Sequence, residues 1–293
     1  MDTKEITREL QAWIDQMQKS GKHVDLNVIN AHLSEMMSRR NAAPRQDFHG
    51  FSPEQMHIML DLPFSERSPV KIRKLNDEEM MRIPLMRQVI HFMEILSKGE
   101  VKLTAQGYIP PKIVGELYGM GSHSWLSDSY KQHLESNTEE IQVLRVILKE
   151  CGLIKTRLGK MSLTAKGKKM LQDHNALMKD VILFLMTSYN VAWLDAYDDD
   201  RAGNIGRLYS LWLLHHYGDQ WRDTGYYASD YEKAFPTLDA SKGYPCRVFE
   251  RLFRLIGICE INDTQEWAGK GWGDKTRKTD VLELMFSFEE PQG

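Results

Sequence analysis

The sequence predicts a mainly α-helical chain with short β-hairpins, and three observations carry that reading. Apolar residues recur at helical spacing along most of the chain, an internal unit closes twice on Leu-Thr-Ala-x-Gly, and charge is spread unevenly between segments. With 293 residues, 42% hydrophobic and 27% charged, the composition is that of an ordinary globular protein with room for two domains of about 100–200 residues. The 38 Lys and Arg against 41 Asp and Glu leave a net charge of −3, so any surface for nucleic acid must be local. Cys151, Cys246 and Cys259 are too few and too scattered for a disulfide framework or a four-thiolate zinc site, which predicts a reducing compartment. The charged start MDTKEITREL does not read as a secretory signal, and the most apolar run, Val181–Trp193, falls short of the about 20 residues a spanning helix needs. A cytoplasmic protein without a membrane segment is the expectation.

Taken in order, Ile6, Leu10, Trp13, Ile14 and Met17 fall on one helical face. A second helix is expected from a cap at Asp25, with Val28, Ile29, Leu33, Met36 and Met37 inward, ending before Pro44. Together they predict a helical hairpin over residues 1–45. Its apolar face offers a dimer contact, but packing onto its own chain is the expected use, and no oligomeric state is predicted. Within 46–83, Ser52-Pro53-Glu54-Gln55 opens a helix through a capping box with proline in the first turn, and Pro63, Pro69 and Pro84 mark 61–84 as an irregular connector.

Residues 88–107, QVIHFMEILSKGEVKLTAQG, and 142–167, QVLRVILKECGLIKTRLGKMSLTAKG, read as two versions of one unit. Each opens a helix on Gln-Val, passes a glycine at Gly99 or Gly152, and closes on Leu-Thr-Ala-x-Gly. The second holds extra residues after its glycine, and they form two β-prone strands around Leu158-Gly159-Lys160. A helix, a capping glycine, a hairpin and another helix make the back half of a winged helix, with the hairpin as the wing. The expected organisation is tandem winged-helix-like units at 84–175, then a helical region at 176–293. In that region VFERLFRLIGICEI (248–261), WAGKGWGD (267–274) and TRKTDVLELMF (276–286) form a third, looser hairpin-bearing unit.

Charge gathers on the second unit. Residues 141–172 hold eight Lys and Arg against one acid, a net +7. Burying Ile141, Leu144, Ile147, Leu148 and Cys151 leaves Gln142, Arg145 and Lys149 on the opposite helix face. Lys155, Arg157 and Lys160 follow on the hairpin, and Lys166, Lys168 and Lys169 on the next helix. These nine residues are the candidate nucleic-acid contacts, since a helix with a wing sets side chains along the backbone of double-stranded DNA. The alternative is a solvated lysine-rich face, or one that docks an acidic protein, because a fold does not determine a function.

Residues 103–114, LTAQGYIPPKIV, with 142–171, resemble a module of uncharacterised bacterial proteins. Some of those are plasmid open-reading-frame-three-like and some carry SEC-C motifs. The segment GFSPEQMHIMLDLPF at 50–64 is similar to an opening found in the same proteins. The resemblance implies winged-helix-like units and no particular activity.

Asp195, Asp198, Asp199, Asp200, His215, His216 and Asp219 invite a metal reading, but adjacent histidines point about 100° apart and three successive carboxylates suit a solvated loop. No metal and no cofactor is expected. Residues 193–240 carry nine acids against four bases, and that charge opposes phosphate approach, so Tyr209, Trp212, Tyr217, Trp221, Tyr226, Tyr227 and Tyr231 read as packing. No catalytic motif stands out, and a non-enzymatic protein is expected. Two functions remain open: a DNA-binding regulator or mobile-element protein, and a protein interaction scaffold whose units do not touch nucleic acid.

Overall fold

A computed structural model describes residues 3–122, 130–195, 199–241, 243–262 and 275–291. The chain is mainly helical with small antiparallel sheets of two or three strands, as the spacing predicts. No helix among the described residues is long and apolar enough to cross a membrane. The chain divides into two compact units, one reaching His57 and including Pro291, the other Ile58–Glu290.

The first unit contains the helical hairpin, α1 (Thr3–Lys19) and α2 (Leu26–Ala42). Asp25 caps α2 by accepting from the Val28 amide at 2.9 Å. Trp13 stacks on His32 with ring centroids 3.8 Å apart, and Arg40 reaches Glu9 at 2.8 Å and Glu5 at 3.6 Å. Val28, expected inward, is exposed, and only Met36 of α2 is buried. The capping box that opens α3 (Pro53–Asp61) is present: the Ser52 amide donates to Gln55 Oε1 at 2.9 Å and the Gln55 amide to Ser52 Oγ at 3.2 Å.

The segment expected as an irregular connector contains β1 (Val70–Ile72) and α4 (Asp77–Met80), the latter with its own capping box between Asn76 and Glu79. The reason is non-local. β1 pairs with β8 (Phe286–Phe288) from the far end of the chain, and local pattern does not disclose such a partner.

Two modules of one topology follow. The first runs α5 (Pro84–Ser97), β2 (Val101–Lys102), α6 (Pro111–Tyr118), α7 (Glu139–Glu150), β3 (Ile154–Arg157) and β4 (Lys160–Leu163), with sheet order β2-β4-β3. After α8 (Ala165–Met170) and the largely buried α9 (His174–Thr187), the second runs α10 (Arg207–Tyr217), β5 (Arg222–Asp223) and α11 (Thr224–Ala234). Its third helix, α12, is π-helical over Cys246–Phe253 and α-helical over Arg254–Ile256. Then come β6 (Cys259–Asn262), β7 (Lys275–Lys278) and α13 (Asp280–Met285), with sheet order β5-β7-β6.

The equivalence reaches individual bonds. Gly152 and Gly257 end the third helices in the left-handed region, at φ 69° and 96°. The next residue bonds back in each case, Leu153 N to Leu148 O at 2.8 Å and Ile258 N to Phe253 O at 3.0 Å. A threonine after the second hairpin strand closes the motif: Thr164 Oγ1 donates to Gly152 O and Thr279 Oγ1 to Gly257 O, both at 2.7 Å.

The structural repeat therefore differs from the sequence repeat. The two Leu-Thr-Ala-x-Gly segments lie in one module, where β2 of the first pairs with β4 of the second, so they share a sheet. They also fold differently. Thr104–Gly107 is a turn with Gly107 at φ 82°, whereas Thr164 caps α8 and a Cβ at Gly167 would lie 2.1 Å from Leu153 O. The looser unit expected at the C-terminus supplies the strands of the second module, although WAGKGWGD at 267–274 lies outside the described residues.

The aromatics read as packing do pack in part. Tyr209, Trp212, Tyr227 and Tyr231 are buried with Tyr244, Phe249 and Phe253 in the second module, while Trp221 and Tyr226 are exposed beneath Arg277 and Arg222. Burial pushes the thiols of Cys151, Cys246 and Cys259 up to about 12, as suits structural cysteines.

Candidate nucleic-acid interface

The three-stranded sheet of the first module has a core face and an outer face. Ile154, Met161 and Leu163 are buried on one side. On the other, Lys102 lies opposite Lys160, and Lys160 lies opposite Arg157, so three cations stand in register across three strands. Cross-strand partners have Cβ atoms about 5 Å apart, and like charges so placed are destabilising. Lys155, two residues along β3 from Arg157, shares the outer face. The strands meet in a tight turn at Leu158-Gly159, where both residues have positive φ, 50° and 70°, and Leu158 is 90% exposed.

The sheet of the second module is an internal comparison. There Glu260 faces Arg277 and forms an ion pair at 2.8 Å, and Asp223 faces Lys275. Equivalent architecture carries opposite signs in register in one sheet and like signs in the other.

The nine sequence-derived residues divide by environment. Lys155, Arg157, Lys168 and Lys169 are exposed, with no carboxylate within 4 Å among the described residues. Lys149 is exposed with Glu150 at 3.6 Å, and Lys160 has Glu100 at 3.1 Å. Lys166 is committed to the fold: its Nζ lies 2.8 Å from both Cys151 O and Asp180. Arg145 is corrected from an exposed helix-face contact to a structural residue. Its Nη1 donates to Gly107 O at 2.9 Å and to the buried Glu135 at 2.8 Å, tying the turn after β2 to α7. Gln142 is half-buried.

The helix expected to read bases is thus mostly internal. Glu140, Ile141, Val143, Leu144, Ile147 and Leu148 of α7 are buried, and the helix packs on α5, α6, α9 and β3. Lys102 was not among the sequence candidates. Its place follows from the β2–β4 register, and a two-residue strand gives no local periodicity from which to infer it.

The acidic segment holds ion pairs. Asp195 accepts from Arg247 Nε at 2.7 Å and Nη2 at 2.9 Å and from Arg251 at 3.1 Å, while Arg247 also donates to Asp199 O and Ala202 O. Buried Arg207 is satisfied by the carbonyls of Leu185, Tyr189 and Gly203 and by Asn204, and burial lowers its pKa to about 10. His215 bonds Glu283 at 2.6 Å, whereas Asp219 pairs with Lys278 at 3.0 Å. Asp198 lies outside the described residues, among which no three His, Cys, Asp or Glu groups are placed to hold a metal ion.

Compared with protein-family models, curated proteins and solved structures, the chain has no match.

Proposed function

We propose that this chain is a non-enzymatic DNA-binding protein of the regulator or mobile-element kind, with two winged-helix-like modules of which the first makes the contact. The topology supports the winged-helix reading: helix, strand, helix, helix, strand, strand, with the first strand beside the third. The observation that carries the function is the row Lys102–Lys160–Arg157, with Lys155 beside it. A folded protein gains nothing from cations set opposite one another, and the second module avoids them; Glu100 offsets Lys160 alone, and a phosphate backbone compensates the remaining repulsion. With α7 internal, contact falls to the sheet face, the wing and the Lys168–Lys169 helix. The reading is therefore one of backbone binding with little base preference.

The test is a titration of fluorescent duplex DNA at several salt concentrations. Wild type is expected to bind at low salt, with the slope of log K against log salt shrinking by about 0.9 for each phosphate contact removed. Arg157→Glu with Lys160→Glu is expected to weaken binding to all sequences alike, and Arg277→Glu in the second module to leave it unchanged. Absence of duplex binding at low salt overturns the proposal. The burial of α7 favours a second reading, a scaffold whose first module docks an acidic protein. A pull-down that keeps its partners after nuclease treatment selects that reading.

A further inference from the structure

The segment from Phe64 to Lys74 and the start of α9 enclose an open groove of about 430 Å³, distinct from the wing face. Its floor includes Phe64, Ile72 and Ala176, and Arg73, Lys74 and Lys179 stand around it. None of these three cations has a carboxylate within 4 Å among the described residues, whereas Lys71 at the same groove is paired with Glu289. Of the two acids in the lining, Asp173 is engaged as the cap of α9, accepting from the Ala176 amide at 3.0 Å, and Glu66 is exposed. Phe64 sits in the left-handed region at φ 59°, an uncommon conformation for a bulky residue, and its ring stacks on Phe286.

The groove also contains an unused strand edge. β1 has β8 on one side and, among the described residues, no strand on the other. The Arg73 amide bonds Met285 O and the Glu289 amide bonds Pro69 O, so by antiparallel alternation the odd-numbered residues of β1 face β8 and Val70 and Ile72 face away. A side chain satisfies the first outward amide of that edge, and beyond the strand Asn175 of α9 holds the chain at Leu75. The Val70 amide donates to Ser68 Oγ at 3.3 Å, and Asn175 holds both the amide and the carbonyl of Leu75 at 2.8 Å. Between them the amide and carbonyl of Ile72 have no hydrogen-bond partner among the described residues. An open peptide edge recognises another peptide, an apolar floor recognises side chains, and unneutralised cations recognise carboxylates.

We propose that this groove binds an extended acidic peptide, which adds as a strand to the outer edge of β1 while its carboxylates meet Arg73, Lys74 and Lys179. The proposal does not rest on the DNA reading. Fluorescence anisotropy with a labelled alternating Glu-Val decapeptide tests it, against an alternating Lys-Val decapeptide and inorganic phosphate as competitor. The Glu-Val peptide is expected to bind saturably, and the Lys-Val peptide at least about tenfold more weakly. Arg73→Glu with Lys179→Glu is expected to weaken Glu-Val binding at least about tenfold and leave duplex DNA binding at its wild-type value. Ile72→Pro removes the outward amide at an edge position where proline is tolerated, and is expected to weaken the peptide about tenfold with the groove charge intact. Should that variant fail to fold, amide exchange in wild type gives the same information: the Ile72 amide is expected to slow at least about tenfold with peptide bound. No saturable binding up to about 1 mM, equal affinity for both peptides, displacement by millimolar phosphate, or an unprotected Ile72 amide each overturns the proposal.

Discussion

Arg145 and Arg247 are arginines paired with carboxylates, yet the sequence marked only Arg145, and marked it for the surface. The helical wheel of α7 puts Arg145 about 100° from Leu144, about 60° from Leu148 and about 40° from Ile141, at the border of the buried face rather than opposite it. It cannot anticipate that Glu135 and the turn at Gly107 close over that face. Arg145→Ala strands the buried Glu135 without its cation, and a loss of about 2–3 kcal/mol is expected, read as a lower urea midpoint with unchanged slope. An exposed contact residue would shift stability by about 0.5 kcal/mol or less. Glu139, at the start of α7, allows a test of sign. Burial holds its carboxyl above the usual range, against the pull of Arg251. A raised folded pKa contributes stability that is complete below the unfolded value and is lost as pH rises through the folded value. Glu139→Gln is therefore expected to raise the urea midpoint relative to wild type at pH 7 and to lose that advantage at pH 4.

Among the elements, those set by local chemistry were legible: the Asp25 cap, the Ser52 capping box, the third helix of the first module and the hairpin around Leu158-Gly159. Elements defined by a distant partner were not. β1 needs β8, β2 needs β4, and Lys102 acquires meaning only from that second pairing. The repeat misled for a physical reason, because one five-residue motif suits both a turn closed by a left-handed glycine and a helix start packed tightly on a carbonyl. The true second module shares little with the first beyond a helix-ending glycine and a threonine that bonds to it. The wing itself carries a local conflict: Leu158 occupies a left-handed position where asparagine or glycine is favoured. Leu158→Asn is expected to stabilise the protein by about 0.5–1 kcal/mol. Because the change is neutral, duplex binding should hold if phosphate contact runs through the flanking cations, and an equilibrium titration beside a thermal melt checks both.

At the scale of the whole molecule, the two modules are joined through the elements that a base-reading protein would leave free. Arg251 of α12 reaches Glu139 of α7 at 3.6 Å, and a Cβ on Gly257 would lie 2.4 Å from the ring of Pro84, the first residue of α5. The helix-ending glycine of the second module is thus also the seat of the first helix of the first. Gly257→Ala combines strain at φ 96° with an overlap that only movement of one module can relieve, and a loss of about 2–4 kcal/mol is expected. Its distribution is the sharper measurement. If the modules fold as one cooperative body, amide exchange in α5 and α7 accelerates as much as in α12, although the substitution lies in the second module. Acceleration confined to α12 and its hairpin would show two separable modules. α7 could then be released to enter a groove of DNA, and the assignment of contact to the wing and sheet face would lose its structural basis.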